Sequence, residues 1–166
     1  MKTGDFEKVF KLMESSFPHT EFRTYEKQKK LFLNPFYNMD ITKNENDEII
    51  AFIAFWRFKE FDFVEHLAVN PNCRGSGIGS KIMRNFINNS SGPVLLEIEV
   101  PHDEVSKRRE IFYERLGFKI NNYKYFQLPL RKGASVCEMK LLSYPDALSF
   151  KDFEKFKDII YTHVYS

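Results

Sequence analysis

The chain has 166 residues, 43% of them hydrophobic and 29% charged, and carries a formal net charge of +2 at pH 7. That length fits one domain with a sizeable core, and the composition belongs to a globular protein rather than a disordered one. No apolar run approaches the roughly 18–20 residues of a membrane helix, and so small a charge leaves no electrostatic footprint for nucleic acid.

The first ten residues, MKTGDFEKVF, are charged and helix-like, which does not read as a signal peptide. Cys73 and Cys137 lack metal-ligand spacing and read as unpaired thiols in a reducing compartment, so a cytoplasmic location is expected. Eighteen Phe and eight Tyr point to a bulky aromatic core, because Phe6, Phe10, Phe17, Phe86 and Phe112 fall on apolar helix stripes.

Phe6, Val9, Phe10, Met13 and Phe17 recur at helical spacing after Thr3 and Asp5, which predicts a capped helix over about 4–16. Thr24 is placed to cap a second helix, about 25–33, with Glu26 in its first turn. Runs 36–43 and 48–58 read as strands joined by a turn at 44–47, and 61–69 as a third strand. Ile78, Ile82, Met83, Phe86 and Ile87 form a wide helical stripe, followed by a strand over 94–100. Ser106 is expected to begin a further helix, closed by Gly117 at the position after its C-cap. Strands over 123–130 and 134–142 follow, and Ser149, three residues before Asp152, opens a last helix over 149–163. The order predicts a mixed α/β (α+β) domain built on one central sheet.

Three of the seven glycines lie within five residues, in NPNCRGSGIGSKIM (70–83), between the third strand and the helix after it. Such a loop presents unpaired backbone N–H groups to an anion, and glycines let the backbone approach and take left-handed conformations. Arg74 adds a cation, and Ser76 and Ser80 add hydroxyls. The pattern reads as a phosphate cradle, or otherwise as a tight turn that binds nothing. It is not a P-loop, since Gly79 is followed by Ser80 rather than Lys. Nor is it the dinucleotide fingerprint, whose G-x-G-x-x-G spacing is absent.

The string Leu67-Ala-Val-Asn-Pro-Asn-Cys-Arg-Gly-Ser-Gly-Ile-Gly79 closely resembles the acyl-CoA signature of the GNAT family of N-acetyltransferases, [QR]-x-x-G-x-[GA] after a strand ending L-x-V-x-P. Phe112-Tyr-Glu-Arg-Leu-Gly-Phe118 matches the family's Y-x-x-x-G-F, and the resemblance covers about residues 3–142. It implies a mostly antiparallel sheet flanked by helices, the acyl-CoA N-acyltransferase fold. It also implies acetyl-CoA as cosubstrate without a metal, and an amine as acetyl acceptor. Leu67, Ala68 and Val69 would bond the pantetheine arm through their backbone, as an added strand does. Arg74, Gly75, Ser76, Gly77, Ile78, Gly79 and Ser80 would hold the pyrophosphate. Where the family often carries Asn, seven residues before the Tyr, this chain has Ser106.

Direct attack of an amine on a thioester needs a base for the ammonium and favours an acid near the departing sulfur. Glu65, Glu97 and Glu99 lie on strands flanking the expected cleft; the competing reading of each is an ion pair or an exposed sheet edge. Period-two alternation puts Glu97 and Glu99 on one face, and Glu65 on one face with Leu67 and Val69, with His66 opposite, either in the core or supporting the site from behind. Glu99 is the first choice for the base because Ile98-Glu-Val100 resembles the L-E-V strand of the branch that acetylates ribosomal-protein N-termini. Glu65 is second. Tyr113, turned aside from a Phe112/Leu116 stripe towards Arg109, is the candidate acid, its phenol expected to be lowered by that cation. The acids Glu65, Glu97, Glu99, Asp103 and Glu104 point to a cationic acceptor, and His102 is a possible contact to it. The last helix would cap the acceptor groove, pair with a second subunit as a homodimer, or simply pack. The rivals to an enzyme are a non-catalytic acyl-CoA-binding module and a nucleic-acid binder. Tyr113 and the strand carboxylates disfavour the first, and the charge disfavours the second.

Overall fold

A computed structural model describes residues 2–166, without the side chain of Thr3. Five α-helices and six strands follow in the order α1 (Thr3–Ser16), α2 (Tyr25–Lys30), β1 (Tyr37–Lys43), β2 (Ile49–Arg57), β3 (Asp62–Val69), α3 (Ile78–Asn89), β4 (Val94–Glu99), α4 (Glu104–Arg115), β5 (Lys119–Gln127), β6 (Cys137–Tyr144) and α5 (Phe150–His163). The strands form one sheet in the order β1-β2-β3-β4-β6-β5, antiparallel everywhere except between β3 and β4.

Each face of the sheet buries its own helices. On one face Phe6, Val9, Phe10 and Met13 of α1, with Phe153, Phe156 and Ile160 of α5, close over Phe52, Trp56, Phe63, Leu95 and Leu141. On the other face Met83 and Phe86 of α3 and Tyr113 and Leu116 of α4 cover Phe55, Val64, Leu96, Ile98 and Leu142. The aromatic surplus is therefore a core, with rings meeting edge to face, as Phe10 does with Phe22 and Phe55 with Phe86. The apolar stripe of α5 is taken up by its own sheet.

Helix ends differ from expectation in instructive ways. Asp5 lies inside the first turn of α1 and pairs with Lys43 at 3.1 Å, while the cap expected of Thr3 rests on a side chain outside the described residues. The second helix is shorter than expected: a 3-10 turn over Leu31–Leu33 replaces its last turn. Ser106 does not begin α4. Asp103 is the N-cap, accepting from Ser106 N at 2.8 Å, and the Ser106 hydroxyl accepts in turn from Asp103 N, so the helix starts two residues earlier. Gly117 does follow the C-cap at φ +99, and a Cβ there would lie 2.9 Å from the Tyr144 ring. Ser149 caps α5, accepting from Asp152 N.

Two departures from regularity position the site. The parallel β3–β4 ladder holds only three pairs, Asp62–Val94, Phe63–Leu95 and Val64–Leu96; beyond these the strands part. At the same point β3 carries a bulge: Ala54 opposes His66 and Phe55 opposes Val64, leaving Glu65 without a partner on β2.

Candidate active site

The split between β3 and β4 opens into a cavity of about 830 Å³, floored by the two strands and reaching from the glycine loop to the C-terminal segment. At its loop end β3 runs through Asn70, whose side chain accepts from Asn72 N, into the residues before α3. Gly75 and Gly77 sit at φ +83 and +79, the left-handed region that other residues avoid, and Gly77 is the N-cap of α3. Gly79 lies against Phe112 of α4 and Val69: a Cβ there would meet both at 3.6 Å. Arg74 is turned back so that its Nε donates to Val69 O at 3.1 Å, and the Ser76 hydroxyl donates to Cys73 O at 2.6 Å. The first turn of α3, Ile78 to Ser80, lines the cavity; its N–H groups have no intrahelical partner, and it carries no acidic side chain.

The bulge sets the acid wall. Alternation predicted Glu65 on one face with Leu67, and His66 opposite. Instead Glu65 and His66 both turn towards the α1 face, because the extra residue shifts the register by one. Both Glu65 oxygens are occupied, Oε1 by Arg23 Nη1 at 2.6 Å and Oε2 by Trp56 Nε1 at 2.7 Å, with both ionic side chains under a tenth exposed. Burial alone would raise the Glu65 carboxyl, but Arg23, His66 and Trp56 outweigh it and hold it below the usual range. His66 is buried as expected, yet it lines the cavity. Its Nε2 lies 2.7 Å from Glu21 O, and a carbonyl can only accept, so Nε2 carries the hydrogen. Burial lowers the imidazole further towards the neutral form.

On β4 the alternation holds, and Glu97 and Glu99 share the α1/α5 face. Glu99 meets Arg109 of α4 at 3.3 Å. Glu97 meets no cation among the described residues: Oε2 accepts from Tyr125 and Oε1 from Tyr165, each at 2.5 Å. Burial pushes Glu97 up to about 7, the two phenols pulling it down and the charges of Glu65 and Glu21 adding to the rise.

Tyr113 also departs from expectation. It belongs to the buried stripe of α4 with Leu116, whereas Phe112 is half-buried, and burial pushes its phenol up to about 12 against the opposing pull of Arg109. The expected lowering is reversed: desolvation of a phenolate exceeds the attraction of one half-exposed guanidinium. Its ring still lines the cavity. Asp103 is engaged as a helix cap, and the His102 ring is exposed beside it, so these two belong to the start of α4 rather than to the acid wall.

Sequence reasoning missed the loop before α2. Four successive carbonyls there are each held by a side chain: Thr20 by Gln127, Glu21 by His66, Phe22 and Arg23 by Arg131. These bonds hold the loop backbone, and Glu21 lines the cavity, where burial raises its carboxyl, opposed by Arg109 and reinforced by Glu99. No local signal marks these residues, since Arg23 meets Glu65 across 42 positions. Tyr125 was nearer to hand, because Tyr123, Tyr125 and Gln127 alternate along one strand.

The model of the acetyltransferase (GNAT) domain matches residues 41–120, the stretch from β1 through the glycine loop to the start of β5. A solved structure from Bacteroides thetaiotaomicron, provisionally named an acetyltransferase of the GNAT family, superposes with a TM-score of 0.88 at 31% identity, covering 99% of this chain and 96% of its own. The chain belongs to the GNAT family. Bacillus subtilis YjbC, provisionally named an acetyltransferase, is 35% identical over 69 residues, a match spanning 40% of this chain and 35% of that protein. An aminoglycoside 6'-N-acetyltransferase solved with coenzyme A shares the GNAT fold at 15% identity, with a TM-score of 0.65 over 86% of this chain and 91% of its own. The split sheet and glycine loop thus sit within a fold seen elsewhere with coenzyme A. Among the described residues no helix is long and apolar enough to cross a membrane.

The Arg23–Glu65 pair gives a prediction for the site's framework. Arg23→Met leaves a buried carboxylate unpaired and should cost about 3–5 kcal/mol of stability. Adding Glu65→Gln should return much of that loss, because the unpaired charge is gone. Denaturant titration of both single variants and the double variant measures the coupling, and additive losses would show that the pair does not hold the bulge.

Proposed function

We propose that the protein transfers an acetyl group from acetyl-CoA to a primary amine of a cationic acceptor by direct attack in a ternary complex. The observation that carries this reading is the parted β3–β4 edge running into the glycine loop. Past Val64 the β4-facing edge of β3 lacks a strand partner, so the backbone groups of the Leu67–Val69 stretch on that edge can pair with an extended amide-bearing arm, Arg74 Nε giving up Val69 O as it does so. The loop and the first turn of α3 supply N–H groups for a pyrophosphate, over Arg74 to Ser80. Acetyl-CoA has this sequence of parts: a diphosphate, a chain of two amides, and a thioester that would reach the cavity's centre. The alternative, a module that binds acyl-CoA without chemistry, does not account for the acid wall on the other side of the split.

In this reading the acceptor enters from the α1/α5 face. Glu65 is neutralised by Arg23, and Glu99, first expected as the base, is paired with Arg109. Among the described residues no cation answers the charge of Glu97, and a carboxyl near 7 suits a base working near neutral pH. Glu97 takes a proton from the ammonium, and the freed lone pair attacks the thioester carbon to form the C–N bond. Collapse of the tetrahedral adduct breaks the C–S bond and expels the thiolate. Tyr113, raised to about 12 and so fully protonated, donates to the departing sulfur. The second nitrogen proton restores the phenol, and the proton on Glu97 passes to solvent, leaving amide, free thiol and one proton. Glu99 holds Arg109 beside Tyr113, and Glu21 adds negative potential for the incoming cation.

Thiol release from acetyl-CoA should depend on added primary amine, with cationic amines favoured at low salt. Tyr113→Phe should lower turnover by about 10²–10⁴-fold with acetyl-CoA affinity nearly intact; a change within about twofold would assign the proton to water. Glu97→Gln should slow the reaction at neutral pH and recover part of the rate as pH rises, since the amine then deprotonates in solution. Glu99→Gln, which leaves that base in place, should show no such recovery. If the recovery appears in Glu99→Gln instead, the base is Glu99.

A further inference from the structure

The helix α5 and the residues after it lie beyond the 41–120 stretch that defines the family domain. Their packing reaches the cavity. Tyr161 of α5 donates to Phe126 O at 2.6 Å, and Val164, at the helix C-cap, is buried with its carbonyl accepting from Arg23 Nη2 at 2.5 Å. Arg23 therefore binds two things at once, the Glu65 bulge and the end of α5. The residue after that carbonyl is Tyr165, whose hydroxyl reaches Glu97 Oε1, 68 positions away in the chain.

We propose that Tyr165 is a positioning residue for acetyl transfer: with Tyr125 it fixes the Glu97 carboxylate in the cavity, which makes the C-terminal segment part of the acceptor half of the site. This rests on the acetyl-transfer reading above. The geometry supports it in three ways. Each Glu97 oxygen takes one phenol, so rotation of the carboxylate would break both bonds. A carboxylate offers about four lone-pair positions, and two remain for an ammonium. Both donors are neutral, so they orient the group without cancelling its charge, whereas Arg23 and Arg109 cancel the charges of Glu65 and Glu99.

The titratable groups that face Glu97 are Glu65 from β3, Glu21 from the loop before α2, Tyr125 from β5, and Tyr165 with Tyr161 from the α5 segment. Cys137 at the start of β6 also senses its charge, and Glu99 is its neighbour on β4. Burial raises Glu97 most, the bonds from Tyr125 and Tyr165 lower it, and Glu65 and Glu21 add to the rise. Removing either phenol removes a bond made to the ionised form, so Glu97 must titrate at higher pH.

The test uses the full chain with acetyl-CoA and an amine that the wild type acetylates. In Tyr165→Phe the ring stays and only the hydroxyl goes. The Glu97 titration, followed by carboxyl carbon NMR, should move up by about one pH unit. The acidic limb of kcat should move with it. A base moved from about 7 to about 8 is ionised about fivefold less at pH 7, so the rate there should fall roughly fivefold and approach wild type at alkaline pH. Acetyl-CoA affinity should not change. Tyr125→Phe should behave in the same way, and it stands in if Tyr165→Phe fails to fold. A titration that does not move would show that Tyr165 does not hold Glu97. A titration that moves while the rate profile stays still would remove Glu97 and Tyr165 from the proton path. Either result overturns the proposal while leaving acetyl transfer intact. A wild type that releases no thiol with any amine overturns the transfer reading itself, and this inference with it.

Discussion

Everything at this site depends on the place where β3 and β4 stop pairing. Three parallel residue pairs end at Val64 and Leu96, and beyond them a sheet otherwise continuous through six strands has an open seam. Backbone N–H and C=O groups along an open edge need partners, from water or from a ligand that mimics a strand. An opening in the middle of a sheet would close if nothing held it. Here the bulge at Glu65 bends β3 away, and the Arg23 guanidinium and Trp56 indole fix the bulged side chain. Arg23 is in turn anchored through Val164 O, so the end of the chain and its first loop brace the seam together.

The same seam divides the chemistry. On the α3/α4 side lie the glycine loop, the free N–H groups of α3 and the buried phenol of Tyr113, a region suited to an anion and a leaving group. On the α1/α5 side lie four carboxylates of different status. Two are paired with arginines; Glu21 is raised by burial; and Glu97 rests on two phenols with its charge unanswered. A buried carboxylate is expensive to keep ionised, so pairing two while leaving others unpaired places negative potential at one end of the cavity.

Much of this was legible in the sequence where the information is local. The glycine loop, the hairpin turn at 44–47, the Ser149 cap and the Glu97/Glu99 face follow from spacing and periodicity, and the motif at 67–79 gave the family. Features that depend on distant residues were not legible. The alternation rule fails at Glu65 because one extra residue in β3 reverses the faces, and nothing nearby in sequence announces it. The shift of Tyr113 depends on how deeply α4 sinks its stripe, which a helical wheel does not weigh against a neighbouring cation. By sequence alone Glu97 ranks behind Glu99 and Glu65 as a base. Its distinction comes from Tyr125 and Tyr165, which lie 28 and 68 positions away.

The central claim is that the parted edge of β3 and the glycine loop form one continuous seat for acetyl-CoA. Amide hydrogen exchange on the protein with and without acetyl-CoA tests it directly, because the claim names the backbone groups that change. Binding should slow exchange in two separate segments, Leu67–Val69 and Gly75–Ser80, while the paired N-terminal half of β3 is already protected in both states. Protection in the loop alone, or at a surface remote from the seam, would contradict the account.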